Sequence, residues 1–307
     1  MLKAAFVDIT RYLIIGGSTK CATTSLFKYF EYHPDVCPSF MKESRFFWTG
    51  AYQLPIDKDR ESVSRYGSLF KNCMDSWLRM EATPDYMYSA ETAARIRSEL
   101  KSCKMAFLLR EPVSRLISWY QYSIMSGFIE KTCTFDNYVN LQKNPEQTDM
   151  PQHLRSLEQG RYAHYLETYY QLFGKENILV IYYENLAANP LKTCCDIARF
   201  GEITDDYFKK YEFRVYNKTV AVKSAEANTL FRKFKRTVRP LIRTLPLVFQ
   251  KNIKLAGHKV ELFFHRFNGE FNMDEVAISP AMQNYLNDYY KEDRIKLDLL
   301  TGVPAPW

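Results

Sequence analysis

The chain has 307 residues, of which 46% are apolar and 25% charged. That balance belongs to a globular protein and excludes a disordered tail, a collagen-like fibre and a small disulfide scaffold. Lys and Arg exceed Asp and Glu by 42 − 35 = 7, so an anionic partner is expected, although charge alone does not choose between nucleic acid, a membrane surface and a phosphorylated small molecule.

Taken in chain order, residues 12–15 (YLII) are a short apolar run that stops at Gly16-Gly17 and predict a buried strand. A helix is predicted from about 22 to 32, ending ahead of His33-Pro34. Residues 77–81 read as a second strand and 90–100 as a helix. The run 105–109 (MAFLL) predicts a strand, and Pro112 suits the first turn of a helix reaching about residue 125. A helix over 162–173, a strand over 178–182 (ILVIY) and a helix over 190–200 follow. From 224 onward the pattern is mainly helical, and basic through Arg243. Strands alternating with helices predict an α/β fold, a parallel sheet covered on both faces. No linker composition interrupts it, so residues 1–307 read as one domain.

The seven cysteines, Cys21, Cys37, Cys73, Cys103, Cys133, Cys194 and Cys195, are odd in number and scattered. Without CxxC or zinc-type spacing they predict free thiols and no metal site. Lys3, Asp8 and Arg11 interrupt any signal-type apolar segment, and no apolar stretch is long enough for a membrane span. These features together predict a cytoplasmic protein.

Two segments carry chemistry. The first strand runs into Gly17-Ser18-Thr19-Lys20-Cys21-Ala22-Thr23-Thr24-Ser25. A strand, a small-residue loop with a lysine and a hydroxyl-rich helix start form the layout of a phosphate cradle, in which backbone N–H groups and the helix N-terminus face the anion. It is not a Walker A loop, because no GxxxxGK[ST] occurs. The plainer reading is a glycine turn before a threonine-rich helix start. The second segment is Arg110-Glu111-Pro112-Val113-Ser114-Arg115-Leu116-Ile117-Ser118. Arg110 at the carboxyl end of a parallel strand points to the ligand crevice. Ser118 lies two turns into the next helix, on the face of Ser114 and Arg115, so a guanidinium and a hydroxyl can clamp a second phosphate. The plainer alternative is a surface ion pair of Arg110 with Glu111.

GSTKCATTSL, HPDVCPSFMKESRFF, EATPDY and FLLREPVSRLISWY, in that order, resemble the sulfotransferases that use 3′-phosphoadenosine 5′-phosphosulfate (PAPS), with the bacterial and heparan-sulfate-type branch as the nearest flavour. The later LEQGRYAHYLETYYQLFGKENILVIYYENLAANP and the terminal GVPAPW are similar to the family's second half, so the resemblance is collinear over most of the chain. It implies a P-loop-like, three-layer α/β fold. It also implies in-line transfer of a sulfonate from PAPS to an acceptor hydroxyl, leaving 3′,5′-bisphosphoadenosine (PAP). By that likeness Lys20 neutralises the leaving bridging oxygen, Cys21, Ala22, Thr23, Thr24 and Ser25 cradle the 5′-phosphate, Arg110 and Ser118 clamp the 3′-phosphate, and Glu43 of Lys42-Glu43-Ser44-Arg45-Phe46-Phe47 is the general base. Without the likeness, Glu43 reads as one half of a surface Lys-Glu pair. A further donor contact falls to Lys218, in Asn217-Lys218-Thr219, or to Lys223.

The departures are specific. The family commonly has Gly where Ala22 stands, a lysine where Ala82 stands in Glu81-Ala82-Thr83-Pro84, and a histidine where Arg45 stands. The missing lysine weighs against a heparan-like polyanion as acceptor. A carbohydrate or lipid-linked hydroxyl remains the expected partner, with no nucleic acid and no metal in the chemistry. The basic run from Arg232 to Arg243 reads as a solvated helix face, or with Phe231 and Phe234 as a peripheral membrane contact. Two rival readings stay open: a nucleotide or sugar kinase, and a nucleotide- or polyanion-binding protein without catalysis.

Overall fold

The computed structural model describes residues 10–50, 52, 65–70, 73–74, 77–143, 150–214, 216, 221–222, 269–270 and 276–307. Five strands make one parallel sheet: β1 (Tyr12–Gly17), β2 (Val36–Pro38), β3 (Leu78–Ala82), β4 (Cys103–Leu109) and β5 (Ile178–Tyr182). Their spatial order is β2-β3-β1-β4-β5. The chain therefore winds to one side of β1 first and to the other side afterwards, which opens a crevice between the carboxyl ends of β1 and β4. A separate antiparallel pair joins β6 (Ala221–Val222) to β7 (Gly269–Glu270).

The helices are α1 (Thr23–Phe30), α2 (Ala90–Glu99), α3 (Pro112–Met125), α4 (Phe135–Asn140), α5 (Tyr162–Phe173), α6 (Tyr183–Ala188), α7 (Pro190–Phe200) and α8 (Pro280–Thr301). Side chains of a strand alternate between faces, and the core follows that rule. Ile14, Met105, Phe107 and Leu109 pack with Ile96 of α2 and Leu166 and Tyr169 of α5. Leu13, Ile15, Ala106 and Leu108 pack with Leu26, Phe27 and Phe30 of α1 and Ile197 and Ala198 of α7. Both faces of the sheet are thus covered, as the alternation of strands and helices predicts. A third cluster, with Leu116 and Trp119 of α3, Tyr138 of α4 and Leu286 and Tyr290 of α8, brings the C-terminal helix onto the helical layer.

The sequence predicts the bounds of α3, α5, β5 and α7. At β1 the strand runs two residues further, through both glycines, because β4 passes so close. A Cβ at Gly17, whose φ is +116°, would meet the Leu108 carbonyl oxygen at 2.3 Å. The expectation that all cysteines are free is corrected: Cys37 of β2 and Cys73 form a disulfide, their Cα atoms 5.7 Å apart. The other five cysteines are free thiols.

Candidate active site

The site grows from β1. Its last residue hands the chain to a loop, residues 18–22, whose first amide, Ser18 N–H, donates to the Leu108 carbonyl of β4 at 2.9 Å. Lys20 and Ala22 both take left-handed backbone angles, φ 70° and 66°. Such alternation turns successive N–H groups to one side and makes a concave anion nest. Ala22 then starts α1 with no side-chain cap, which leaves the first-turn amides, unsatisfied within any helix, to an outside acceptor. Thr23 is buried and Thr24 half-buried at that first turn. Ser25 is placed differently: its hydroxyl donates to the Tyr216 carbonyl at 3.1 Å and accepts from Tyr216 N–H at 3.0 Å. Cys21 is fully buried, and burial pushes its thiol up to about 12 against the pull of Arg115 and Arg110, so it remains a neutral thiol.

From the neighbouring strand, Arg110 reaches this loop. Its Nη1 donates to the Lys20 carbonyl at 3.4 Å, and the guanidinium lies 4.7 Å from the Tyr183 ring centroid. Lys20 Nζ sits 4.5 Å from the Tyr122 ring centroid. Glu111 caps α3, accepting from Val113 N–H and Ser114 N–H at 2.9 and 2.6 Å, and so fixes the helix that carries Ser118, itself buried. Lys20, Cys21, Ala22, Thr23, Thr24 and Arg110 are therefore gathered by the β1/β4 crevice, while Ser118 is buried on α3 two turns beyond. Lys218 and the basic run from Arg232 to Arg243 lie outside the described residues.

The second half of the site is built by two segments lying side by side. Glu43 N–H donates to the Ala82 carbonyl at 3.0 Å, Ser44 N–H to Glu81 Oε1 at 3.1 Å, and Arg45 N–H to Thr83 Oγ1 at 3.3 Å. The Tyr86 hydroxyl accepts from Phe47 N–H at 3.2 Å. The docking forces Glu43 and Arg45 into left-handed angles, φ 46° and 54°, a local strain of the kind found at functional sites. The Glu43 carboxylate, 40% exposed, pairs with Lys42 Nζ at 2.7 Å and Arg45 Nη2 at 3.4 Å. Burial raises its pKa, but the two cations outweigh it and the net shift is downward. At neutral pH Glu43 is thus an ionised carboxylate able to accept a proton.

Residues that sequence reasoning left out complete the cleft. Asp85, buried, accepts from Tyr52 Oη and Gln152 Nε2, both at 2.8 Å. Burial first and the Glu43 charge second push its carboxyl up to about 6. Gln159 Nε2 donates to Tyr52 Oη at 3.3 Å. Tyr88 joins the two halves: its hydroxyl bonds Ser18 Oγ at 2.9 Å and accepts from Thr19 N–H at 3.3 Å. Asp85 lies inside the EATPDY segment, so its neighbourhood was visible in the sequence, while the Tyr88 contact, across 70 positions, carried no local signal.

The donor half fits a bisphosphorylated nucleotide. Lys20 and Arg110 bring two cations to the loop that carries the nest, Gly17 has no room for a side chain, and Thr19 Oγ1 is buried without a hydrogen-bond partner among the described residues.

Comparison with known proteins bears on the same residues. Residues 13–241 match the family described as "Sulfotransferase domain". Over 177 residues the chain is 28% identical to human heparan sulfate glucosamine 3-O-sulfotransferase 3B1, which covers 58% of this chain and 42% of that protein. Over 111 residues it is 35% identical to the membrane-associated sulfotransferase kil1 of Dictyostelium discoideum, covering 36% of this chain and 22% of that one. The chain spans less than half the length of these relatives. Among solved structures, a sulfotransferase from Alicyclobacillus acidocaldarius superposes with a TM-score of 0.65 at 18% identity, covering 96% of this chain and 97% of that one. Mouse sulfotransferase SULT7A1 complexed with PAP gives 0.51 at 14%, covering 94% and 86%. These structures share the P-loop-like α/β fold.

Proposed function

We propose, for a chain that belongs to the sulfotransferase family, that it moves a sulfonate group from PAPS to an acceptor hydroxyl by in-line displacement, residues 1–307 acting as one domain. The reaction exchanges one sulfur–oxygen bond for another, so the protein must hold the two oxygens in line, stabilise the charge left on the 5′-phosphate, and remove the acceptor's proton.

The observation that carries this reading is the contact of Arg110 with the Lys20 carbonyl at the β1/β4 crevice, with Glu43 fixed on the end of β3, the strand next to β1. Lys20 and the amides of residues 21–25 hold the 5′-phosphosulfate, and Lys20 meets the charge on the bridging oxygen. Arg110 and Ser118 take the 3′-phosphate, and Lys218 adds a further cation to the donor. Glu43 accepts the proton of the acceptor hydroxyl, with Lys42 and Arg45 holding it ionised. The tethering of Ser25 to Tyr216 gives that hydroxyl a structural duty beside any contact with phosphate.

The acceptor we favour is a carbohydrate or lipid-linked hydroxyl. Relatives named for heparan sulfate support the first class, while Ala82 in place of the family's lysine argues against a polyanion. For a lipid-linked acceptor, the basic run beyond Arg232 would lie against the membrane surface. Among the described residues no helix is long and apolar enough to cross a membrane. The expectation of a cytoplasmic site rested on free thiols and on the want of a signal-type or membrane-spanning stretch, and the Cys37–Cys73 disulfide removes the first of these supports.

The test is Glu43→Gln. Sulfonate transfer to desulfated glycan or glycolipid acceptors falls by about 10²–10⁴-fold, while PAP still shifts the melting temperature as in the parent chain. Normal transfer by this variant removes Glu43 as base. A thermal shift with ATP as large as that with PAP points to the kinase reading instead.

A further inference from the structure

Arg115 has no part in the reaction as derived above, yet its setting is unusual. Its side chain is fully buried on α3. Nη2 donates to the Ser156 carbonyl, while Nε and Nη1 have no hydrogen-bond partner among the described residues. None of the carboxylates in the described ion pairs faces it. A buried charge is ordinarily paired, because it otherwise loses its hydration without return.

What surrounds Arg115 instead leads to the donor site. Its charge is felt by Tyr162, Tyr88, Tyr290, Cys21 and Tyr138, and the neutral Tyr290 hydroxyl lies near enough for a weak hydrogen bond that leaves the charge uncompensated. Tyr88 holds Ser18 and Thr19 of the loop. Tyr162 donates to the Arg110 carbonyl at 2.7 Å. Cys21 is in the loop itself. Arg115 stands one turn of α3 before Ser118 and within electrostatic reach of Cys21 in the loop, in a dry surround where a charge is weakly screened.

We propose that Arg115 is a buried counter-charge for the bisphosphorylated donor, keeping the nest at positive potential without touching the ligand. The inference rests on the donor reading given above. It explains why no carboxylate among the described residues neutralises the guanidinium: an internal partner would cancel the potential, whereas the donor's phosphates supply the missing negative charge on binding. The cost of the unpaired cation falls on the ligand-free protein, and the gain appears in the complex.

The experiment compares Arg115→Met with the parent chain by calorimetric titration and ligand-free melting. Affinity for PAP falls about tenfold or more, affinity for adenosine 5′-monophosphate falls less, and the ligand-free variant melts at or above the parent temperature. Unchanged PAP affinity overturns the proposal, as does an equal loss for both nucleotides or a lowered ligand-free melting temperature, which would mark the bond to Ser156 as the purpose of the residue. Arg115→Lys keeps the charge without the planar fork and decides the matter if the methionine variant does not fold. Retention of PAP affinity within about threefold supports the counter-charge, and a tenfold loss overturns it. A parent chain that fails to bind PAP refutes the donor reading itself. Binding that depends on Arg110 but not on Arg115 refutes only this inference.

Discussion

Ala22 stands where related loops commonly carry glycine, and its φ of 66° gives the physical reason for that preference. The left-handed region costs an L-residue about 1–2 kcal/mol, while glycine gives back about 0.4–1 kcal/mol through the freer unfolded chain. Ala22→Gly is therefore expected to stabilise the protein by about 0.5–1 kcal/mol, read from the urea midpoint at constant m-value. Ala22 takes the left-handed angle that glycine would take freely, so the departure noted in the sequence is read as a cost in stability. Glu81 makes a second prediction at this scale. It is fully buried, and burial pushes its carboxyl from the ordinary 4.5 up to about 7, against bonds from Thr83 and Ser44 that pull it down. In the unfolded chain it ionises near its ordinary value, so the folded state holds the extra proton between the two. Stability from this group is complete below about pH 4.5 and declines as pH rises to about 7. Glu81→Gln should flatten that decline, and denaturant titrations at pH 5 and pH 7.5 measure it. An unaltered pH slope in the variant would show that Glu81 is not the titrating group.

At the scale of elements, the signals that were legible are local ones. Pro112 after a capping Glu111, Pro190 after a capping Asn189 and Pro280 after a capping Ser279 each open a helix. The sequence reading found the first two starts, and placed the third only within a mainly helical tail. β2 escaped because three residues, one of them Pro38, show no period; among the described residues it pairs with β3 alone, at the sheet edge where proline is tolerated. α4, six residues long, is held by the cluster around Tyr138 more than by any pattern of its own. α5 shows how one element completes another. It begins at Arg161 without a side-chain cap of its own, and Asp293 of α8 supplies it, accepting from Ala163 N–H and His164 N–H, each at 3.0 Å. Asp293→Ala should lower stability by about 1–2 kcal/mol, seen as a drop in melting temperature. No change would mean that water takes over both amides.

Over the whole molecule, the winding of the chain decides where chemistry can occur. Because β1 lies between β3 and β4, three segments far apart in sequence meet at one sheet edge: the loop after β1, Arg110 after β4, and Glu43 docked on the end of β3. The disulfide is a fact of the same scale. Cys37 and Cys73 are 36 positions apart, and nothing in their spacing distinguishes them from the other five cysteines. Denatured without reductant, the chain should titrate five thiols, and seven after reduction. Cys73→Ser should cost about 2–4 kcal/mol of stability. Seven thiols without reductant would return the protein to the fully reduced state that the scattered cysteines first suggested.

The sequence by itself determined the alternation of strands and helices, the small-residue loop after β1 and the place of Arg110 at the end of β4, because each depends on periodicity or on residue types within a few positions. Its +7 excess pointed to an anion, which the proposed function assigns in part to Lys20 and Arg110. Only the tertiary structure decided that Glu43 faces Lys42 and Arg45 on a strained backbone, that Asp85 lies with Tyr52 and Gln152 in the same cleft, that Cys37 and Cys73 are bonded, and that Arg115 is buried with no ion pair among the described residues. Each of those is a relation between residues brought together by packing, and local pattern carries no information about distance across the fold.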